Sequence, residues 1–133
     1  MKKATGRWVR KAEADWLAAT KLSRSADPLH DVVCFHCQQC AEKYCKALME
    51  EQSLTVPKTH NLLDLLTALR PHHSSLGRLS RGLDFLTNFA VGTRYPDDNA
   101  TRRQAAAALR WAGRVRTEVQ SILGIQPHFK KSK

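Results

Sequence analysis

Residues 29–52 constrain the fold of this 133-residue chain more than any other stretch, because they contain neither glycine nor proline. Their second half, AEKYCKALMEEQ, consists mostly of residues with high helix propensity. A helix running from Pro28 to about Gln52 would have roughly 25 residues and a length of about 37 Å. Such a helix crosses a whole domain of this size, so the other segments are expected to pack around it.

The segment before this long helix predicts a first helix over about residues 5–25. Its apolar residues recur every three or four positions, which places them on one side of a helix: Trp8, Ala12, Trp16, Ala19 and Leu22. Asp27 is expected to cap the second helix and Pro28 to occupy its first position, where a missing N–H costs nothing.

Three further helices are predicted after the long one. Thr59 is expected to cap a short leucine-rich helix that ends before Pro71, and a fourth helix covers about 76–89. Thr101 opens the last helix with a capping box, and Gly124 ends it. The fold class is therefore all-α: an antiparallel up-and-down bundle of four long helices and one short helix over residues 1–125, followed by a frayed basic tail over 126–133.

Composition and net charge limit the classes of protein to which this chain can belong. Hydrophobic residues make up 42% and charged residues 26%, which is ordinary for a soluble globular domain. The net charge of +10 favours a polyanionic partner such as nucleic acid, or an acidic protein. Glu13 and Asp15 interrupt the basic N-terminal segment, which excludes a signal peptide or membrane span there and predicts a cytoplasmic protein without membrane partners.

All four cysteines lie in the stretch CFHCQQCAEKYC. They are too close in sequence to join distant parts of the fold, so disulfides are not expected. On a helix they mostly extend one apolar stripe, with Cys40 about 120° away from Cys34. The opposite side of the same helix is predicted to be polar and carries Gln39, Lys43, Lys46 and Glu50. The main interpretation is a set of small core residues, with no cofactor. The alternative is a thiol–metal sensor in the Cys34–Cys45 stretch, in which Cys34 and Cys37 hold a metal shared across a dimer.

Four stretches together resemble the HEPN family of small helical domains: AEADWLAA, FHCQQCAEKYCKAL, VPKTHNLLDLL and RYPDD. None is specific alone, but their order and spacing carry the resemblance over nearly the whole chain. The resemblance implies a helical bundle, often a homodimer, that binds nucleotide or RNA. It also implies a minimal nucleotidyltransferase as partner and, in many branches, a toxin–antitoxin function.

The resemblance also implies where a catalytic member would hold its reactive residues. Catalytic HEPN domains are metal-independent ribonucleases with an arginine, matched here by Arg94, and a histidine a few positions later. Asn99, Ala100 and Thr101 occupy the positions of that histidine, and none of them exchanges a proton near neutral pH. A binding module is therefore expected rather than an independent enzyme. The alternative is a ribonuclease toxin in which Arg94 works with a non-standard partner, such as His60 of a second copy.

Two places offer groups that suit a nucleotide or a phosphate. Arg94 can grip a phosphate through two N–H groups, Tyr95 offers a ring for stacking, and Asp97 stands beside them. Lys58 and His60 lie at the predicted start of the third helix, where free N–H groups favour an anion. Each set also has a structural explanation, a salt bridge across the helix connection in the first case and a helix cap in the second.

The arginines of the last helix predict a diffuse basic surface rather than one line. Arg103, Arg110 and Arg114 share a face, whereas Arg102 and Arg116 lie away from it. With the basic tail they would attract RNA or an acidic partner. Trp8 and Trp16, near the N-terminus, present more apolar surface than a small bundle can bury. Together with the resemblance, this predicts a homodimer.

Overall fold

Five α-helices account for most of the chain in a computed structural model, which describes residues 1–90, 96 and 98–125. They are α1 (Lys3–Ser23), α2 (His30–Glu51), α3 (Leu62–Leu69), α4 (Ser80–Thr87) and α5 (Arg102–Leu123). The described residues form no strand, and the predicted all-α bundle is confirmed. The predicted tail, 126–133, lies outside these residues.

The fourth predicted helix is divided into two parts. A 3-10 helix over Ser74–Leu79 leads directly into α4. The 3-10 part has the sequence SSLGRL, and its two serines and glycine have low α-helix propensity. As a result α3 and α4 are both only eight residues long, while α1, α2 and α5 have 21 or 22.

The long helix α2 lies at the centre of the bundle and is buried on more than one side. It packs against α1, α3, α4 and α5. The prediction of one apolar stripe and one polar face is therefore wrong for Cys40 and Lys46, which are 0% and 5% exposed. A helix surrounded by four others has no solvated face along most of its length.

The ends of α5 agree with the sequence. The Thr101 hydroxyl accepts the Gln104 N–H at 3.0 Å, and the Gln104 side chain accepts the Thr101 N–H at 2.9 Å. Gly124 ends the helix in the left-handed conformation at φ 72°, which costs a glycine little. The predicted capping box and C-terminal glycine are confirmed.

The starts of α2 and α3 differ from the sequence prediction. Asn61, not Thr59, caps α3: its Oδ1 accepts the Leu63 N–H at 2.9 Å, while Thr59 accepts the N–H of Asn61 itself at 3.1 Å. For α2, Asp27 and Pro28 lie in the connection, and Leu29 stands at the cap position without a side-chain bond. Both helices begin two residues later than predicted, because the backbone just before each of them is still non-helical.

The hydrophobic core includes the region where α1 and α5 pack against α2. Small residues of α1 and α5, among them Ala12, Ala19, Ala108 and Ala112, are fully buried and let both helices approach α2 closely. Trp8 and Trp16 are only partly buried. Within the described part of the chain, no helix is both long enough and apolar enough to cross a membrane.

Candidate functional site: buried polar networks and an arginine groove

Glu42 is the centre of a buried polar network. Its carboxylate, 5% exposed, receives the Lys46 ammonium at 3.0 Å and the Gln38 amide at 3.0 Å. The His60 Nδ1 lies 2.8 Å from the same carboxylate, and Gln38 also donates to the His60 carbonyl oxygen. Burial alone raises the pKa of Glu42, but the hydrogen bonds from His60, Gln38 and Lys46 outweigh it and lower that pKa below its ordinary value. The network ties α2 to the start of α3.

Asp15 forms a second network with the other side of α2. The Lys43 ammonium lies 2.6 Å from Asp15 Oδ2, and His36 Nδ1 lies 2.8 Å from Asp15 Oδ1. Asp15 is 8% exposed, so its two partners compensate a carboxylate that has lost most of its water. This network joins α1 to α2.

A third cluster joins α1, α2 and α5 through Glu13. Arg116 binds its carboxylate with two N–H groups, at 2.6 and 2.9 Å, and the Tyr44 hydroxyl donates to the same carboxylate. Gln120 donates to the Tyr44 oxygen at 3.0 Å. Burial and the bond to Glu13 raise the pKa of Tyr44, which keeps its hydroxyl protonated as a donor.

The bound pair of Glu13 and Arg116 stands at one wall of a groove between α1, the 3-10 helix and α5. We call this surface the arginine groove; its volume is about 630 Å³. Its lining residues are Trp16, Arg78, Leu79, Leu109, Arg110, Gly113, Arg114, Arg116, Thr117 and Glu118. The lining residues thus include four arginines and one acidic residue, Glu118.

Within the described residues, two of the four arginines have no carboxylate partner. Arg116 is bound to Glu13, and Arg78 lies 3.4 Å from Glu118. Arg110 and Arg114 are exposed, and within the described residues neither is paired with a carboxylate. Arg114 lies 5.0 Å from the centre of the Trp111 ring, which orients its guanidinium through a cation–π contact.

One aromatic residue, Trp16, lines the groove. The Trp16 ring has the Arg116 guanidinium 5.3 Å from its centre. A Cβ placed on Gly113 would lie 3.3 Å from Trp16 Cη2, so glycine lets the ring lie against α5. Arg116 is bound to Glu13 of α1, whereas Arg110 and Arg114 are exposed, and its long side chain nevertheless lines the same groove.

Of the nucleotide-binding candidates predicted from the sequence, the structure describes Lys58 and His60. Arg94, Tyr95 and Asp97 lie outside the described residues, and their proposed role remains a prediction. Lys58 is exposed and has no resolved partner among the described residues, while the His60 ring is held by Glu42. Because α3 starts at Leu62, both precede the helix instead of opening it.

Two of the three positions that lack the ribonuclease histidine, Ala100 and Thr101, have structural roles here. Thr101 caps α5, and the Ala100 N–H donates to Asp31 at 2.5 Å. Ala100 is also buried at 9% exposure. These contacts hold the start of α5 against the start of α2.

The cysteines form part of the core. All four are reduced and buried. Burial raises the pKa of Cys37 to about 12 and that of Cys45 to about 12, and it raises the pKa of Cys40 as well. Protonated thiols are poor nucleophiles and poor metal ligands. Within the residues described, no group of three or more His, Cys, Asp or Glu side chains is placed to hold a metal ion.

These observations define a class: a small helical domain whose central helix is tied to α1 and to the start of α3 by buried carboxylates. The model of the HEPN domain family matches residues 5–122. The chain belongs to the HEPN domain family, and three of the four stretches that carry the resemblance meet in the Asp15 and Glu42 networks.

Two solved structures share this fold. The protein TT1696 from Thermus thermophilus is 25% identical over 90% of this chain and 98% of its own, with a TM-score of 0.79. ST0689, described as an archaeal HEPN homologue, is 24% identical over 92% of this chain and 99% of its own, with a TM-score of 0.72. No curated protein matches the chain.

Sequence reasoning missed the Asp15 network and the arginine groove. A signal for the first was present, since Asp15 is spaced three residues from Ala12 and four from Ala19 and so lies on the buried stripe of α1. For the groove no local signal existed. Its basic wall combines Arg78 of the 3-10 helix with arginines of α5, and only the tertiary fold places them together.

Proposed function

We propose that this chain is a nucleotide- or RNA-binding and partner-docking module rather than an independent enzyme. It works as a cytoplasmic homodimer, beside a minimal nucleotidyltransferase in a toxin–antitoxin type of pair. The observation that carries the binding role is the arginine groove, which Trp16 also lines and in which Arg110 and Arg114 have no carboxylate partner among the described residues.

The groove offers the groups that an RNA strand requires. Guanidinium groups bind phosphate oxygens with two parallel N–H bonds, which supplies affinity without reading the sequence. An aromatic ring beside them gives a base a surface for stacking. The excess of basic residues over the whole chain would draw a polyanion toward this surface.

The test compares two double variants that change the net charge equally. Arg110→Ala/Arg114→Ala removes the uncompensated charges of the groove. Arg7→Ala/Lys11→Ala is the control, because these residues lie on the side of α1 opposite Trp16, beside Trp8. Fluorescence anisotropy with a labelled single-stranded oligoribonucleotide should show at least a tenfold loss of affinity for the groove variant and about twofold or less for the control. Equal losses in the two variants would reject the groove as the binding site.

A ribonuclease is the second candidate, and the Glu42–His60 contact favours it. The carboxylate orients the His60 ring at 2.8 Å while 55% of the His60 side chain stays exposed, an arrangement suited to a general base. RNA incubated with the pure protein and a chelator should stay intact if the binding module is correct. Cleavage that is lost in both Arg94→Ala and His60→Ala would establish the ribonuclease instead.

The homodimer has its own support and its own test. Leu17 and Leu29 are 53% and 50% exposed, and Trp8 and Trp16 are only partly covered. Covering this apolar surface would stabilise a dimer. Sedimentation equilibrium at micromolar concentration should give twice the 15.0 kDa mass of the chain. A monomer would refute the dimer, and failure to co-purify with a nucleotidyltransferase from a neighbouring reading frame would count against that partner.

A further inference from the structure

Arg78 is held less firmly than Arg116, the other paired arginine of the arginine groove. One N–H group of Arg78 reaches Glu118 at 3.4 Å, and its Nε donates to the Ser75 carbonyl oxygen, also at 3.4 Å. The Arg78 side chain is 75% exposed. Arg116, by contrast, binds Glu13 through two N–H groups at 2.6 and 2.9 Å and is 22% exposed. Arg116 is therefore part of the fold, whereas the guanidinium of Arg78 can leave its carboxylate.

Glu118 keeps a second partner when Arg78 leaves. The Ser75 hydroxyl donates to the other carboxylate oxygen of Glu118 at 2.9 Å. The Glu118 side chain is 25% exposed, so water can replace the lost guanidinium contact. An exposed ion pair between two long side chains contributes little to stability, because solvent screens it and because ordering the side chains costs entropy. Separating Arg78 from Glu118 thus leaves neither group buried and unpaired.

Arg78 extends a row of guanidinium groups along α5. Arg110, Arg114 and Glu118 are spaced four residues apart, so they lie on adjoining turns at intervals of about 6 Å along the helix axis. All three line the groove, together with Arg78. Because the Arg78 guanidinium contacts Glu118, it lies at the turn that follows Arg114. Three guanidinium groups therefore follow one another along the groove, and a carboxylate occupies the last of them.

The spacing of this row determines which ligand can displace Glu118. A nucleoside monophosphate presents a single phosphate group, which Arg110 or Arg114 can bind while Arg78 stays with Glu118. A strand held by Arg110 and Arg114 instead brings its next phosphate to the turn that Arg78 occupies, at a high effective concentration. That phosphate competes with the Glu118 carboxylate for the same guanidinium, to which it can offer two parallel hydrogen bonds.

We propose that Arg78 is a third phosphate-binding residue of the arginine groove and that Glu118 competes with the ligand for it. This inference rests on the proposed RNA-binding function and specifies the ligand: a strand that presents consecutive phosphates to all three guanidinium groups, in preference to a free mononucleotide. In the free protein Glu118 holds Arg78. In the complex a phosphate of the strand takes the place of Glu118, which keeps its hydrogen bond from Ser75.

The experiment measures the affinity of a labelled single-stranded hexaribonucleotide by fluorescence anisotropy. Glu118→Gln removes the competing charge and keeps an acceptor for the Ser75 hydroxyl, so the affinity should rise about threefold. Arg78→Ala should lower the affinity by about threefold or more, because one phosphate contact is lost. Asp84→Asn is the matched control: it removes one negative charge from an exposed residue of α4 that does not line the groove, and it should change the affinity by less than about 1.5-fold.

The double variant Arg78→Ala/Glu118→Gln tests whether the gain acts through Arg78. On the Arg78→Ala background, Glu118→Gln should raise the affinity by less than about 1.5-fold, because the two residues act as one coupled pair. A gain of the same size on both backgrounds would overturn the inference, since Glu118 would then act on the strand by repulsion alone. Arg78→Ala changes an exposed side chain, so it stays informative if Glu118→Gln lowers the stability of the fold.

A mononucleotide separates the two ligand classes. A nucleoside monophosphate, measured by its displacement of the labelled strand, should bind at least about tenfold more weakly than the hexaribonucleotide, and Arg78→Ala should leave its affinity unchanged. Equal affinity of the two ligands, or no gain in Glu118→Gln, overturns the inference but leaves the groove as a nucleotide site. If neither ligand binds the wild type or any variant, the proposed function itself is rejected, and this inference with it.

Discussion

Glu42 shows at the scale of one residue why a charged side chain can be part of a core. Its replacement by glutamine keeps the shape but leaves Lys46 buried without a counter-charge. Removing one partner of a buried pair is costly, and we expect the free energy of unfolding to fall by about 3 kcal/mol in urea denaturation. Glu50→Gln, in the same helix but without such partners, should change it by less than about 0.5 kcal/mol. Equal effects would show that the Glu42 network contributes nothing specific.

The same residue predicts a dependence on pH. The folded-state pKa of Glu42 is lowered from 4.5, so its contribution to stability is complete above that value and is lost as the pH falls through the folded-state pKa. The difference in unfolding free energy between wild type and Glu42→Gln should therefore be largest at neutral pH and should shrink in acid. Urea titrations at pH about 7 and about 3 measure it. A difference that does not change between them would contradict the assignment.

At this scale the sequence identified the important positions of α2 but not their environment. The stretch that resembles the family contains Glu42 and Lys43, and both make buried or partly buried ion pairs. Helical projection placed Lys46 on a solvated face, since the projection contains no information on how many neighbours surround a helix. His60 and Asp15, the partners of these residues, are distant in sequence and are brought close only by the fold.

At the scale of elements, Gly82 sets the approach of α4 to α5. A Cβ built on it would lie 2.0 Å from Trp111 Cε3, a distance that no side chain tolerates. We expect Gly82→Ala to lower the free energy of unfolding by about 2 kcal/mol, because the ring must leave its position. Gly6→Ala in α1 is the control: its nearest atom would be 3.7 Å away, so only the gain in helix propensity remains, about 0.5–1 kcal/mol. Denaturation curves that move in the same direction for both variants would refute the close contact.

Tyr44 connects three helices through one hydroxyl. It donates to Glu13 of α1 and accepts from Gln120 of α5. Tyr44→Phe should cost about 1–3 kcal/mol, because the Gln120 amide is left buried without an acceptor. The double variant Tyr44→Phe/Gln120→Leu should recover part of the loss, since both polar groups are then removed. If the double variant is less stable by the sum of the single effects, the two side chains are not coupled.

The ends of the elements show which local signals are sufficient. The capping box and Gly124 of α5 were predictable because each is complete within a few residues. The starts of α2 and α3 were not, because Asp27, Thr59 and Asn61 all have side chains that can cap, and the sequence does not say which backbone turns first. The helical bundle itself was predictable because apolar residues recur every three or four positions along the long segments. An error of two residues at the start of a helix does not change that spacing.

At the scale of the whole molecule, the groove combines residues from separate elements. Trp16 comes from α1, Arg78 from the 3-10 helix and Arg110 from α5. The sequence predicted a basic protein with a polyanionic partner, but charge alone does not say where the charges converge. Convergence depends on the packing of α1 and the 3-10 helix against α5.

The salt dependence of RNA binding measures how many of the arginines that meet in the arginine groove contact phosphates. Each phosphate neutralised on a single strand contributes about −0.7 to the slope of log affinity against log salt concentration. Arg102, Arg110 and Arg114 have no carboxylate partner in the part of the chain that the structure describes, so we expect a slope of about −2 between about 50 and 200 mM salt. Arg110→Ala/Arg114→Ala should reduce its magnitude by about 1.4, whereas Arg7→Ala/Lys11→Ala should leave it within about 0.3. Since both variants lower the net charge from +10 by two, equal slopes in the two would show that binding responds to total charge and not to the groove.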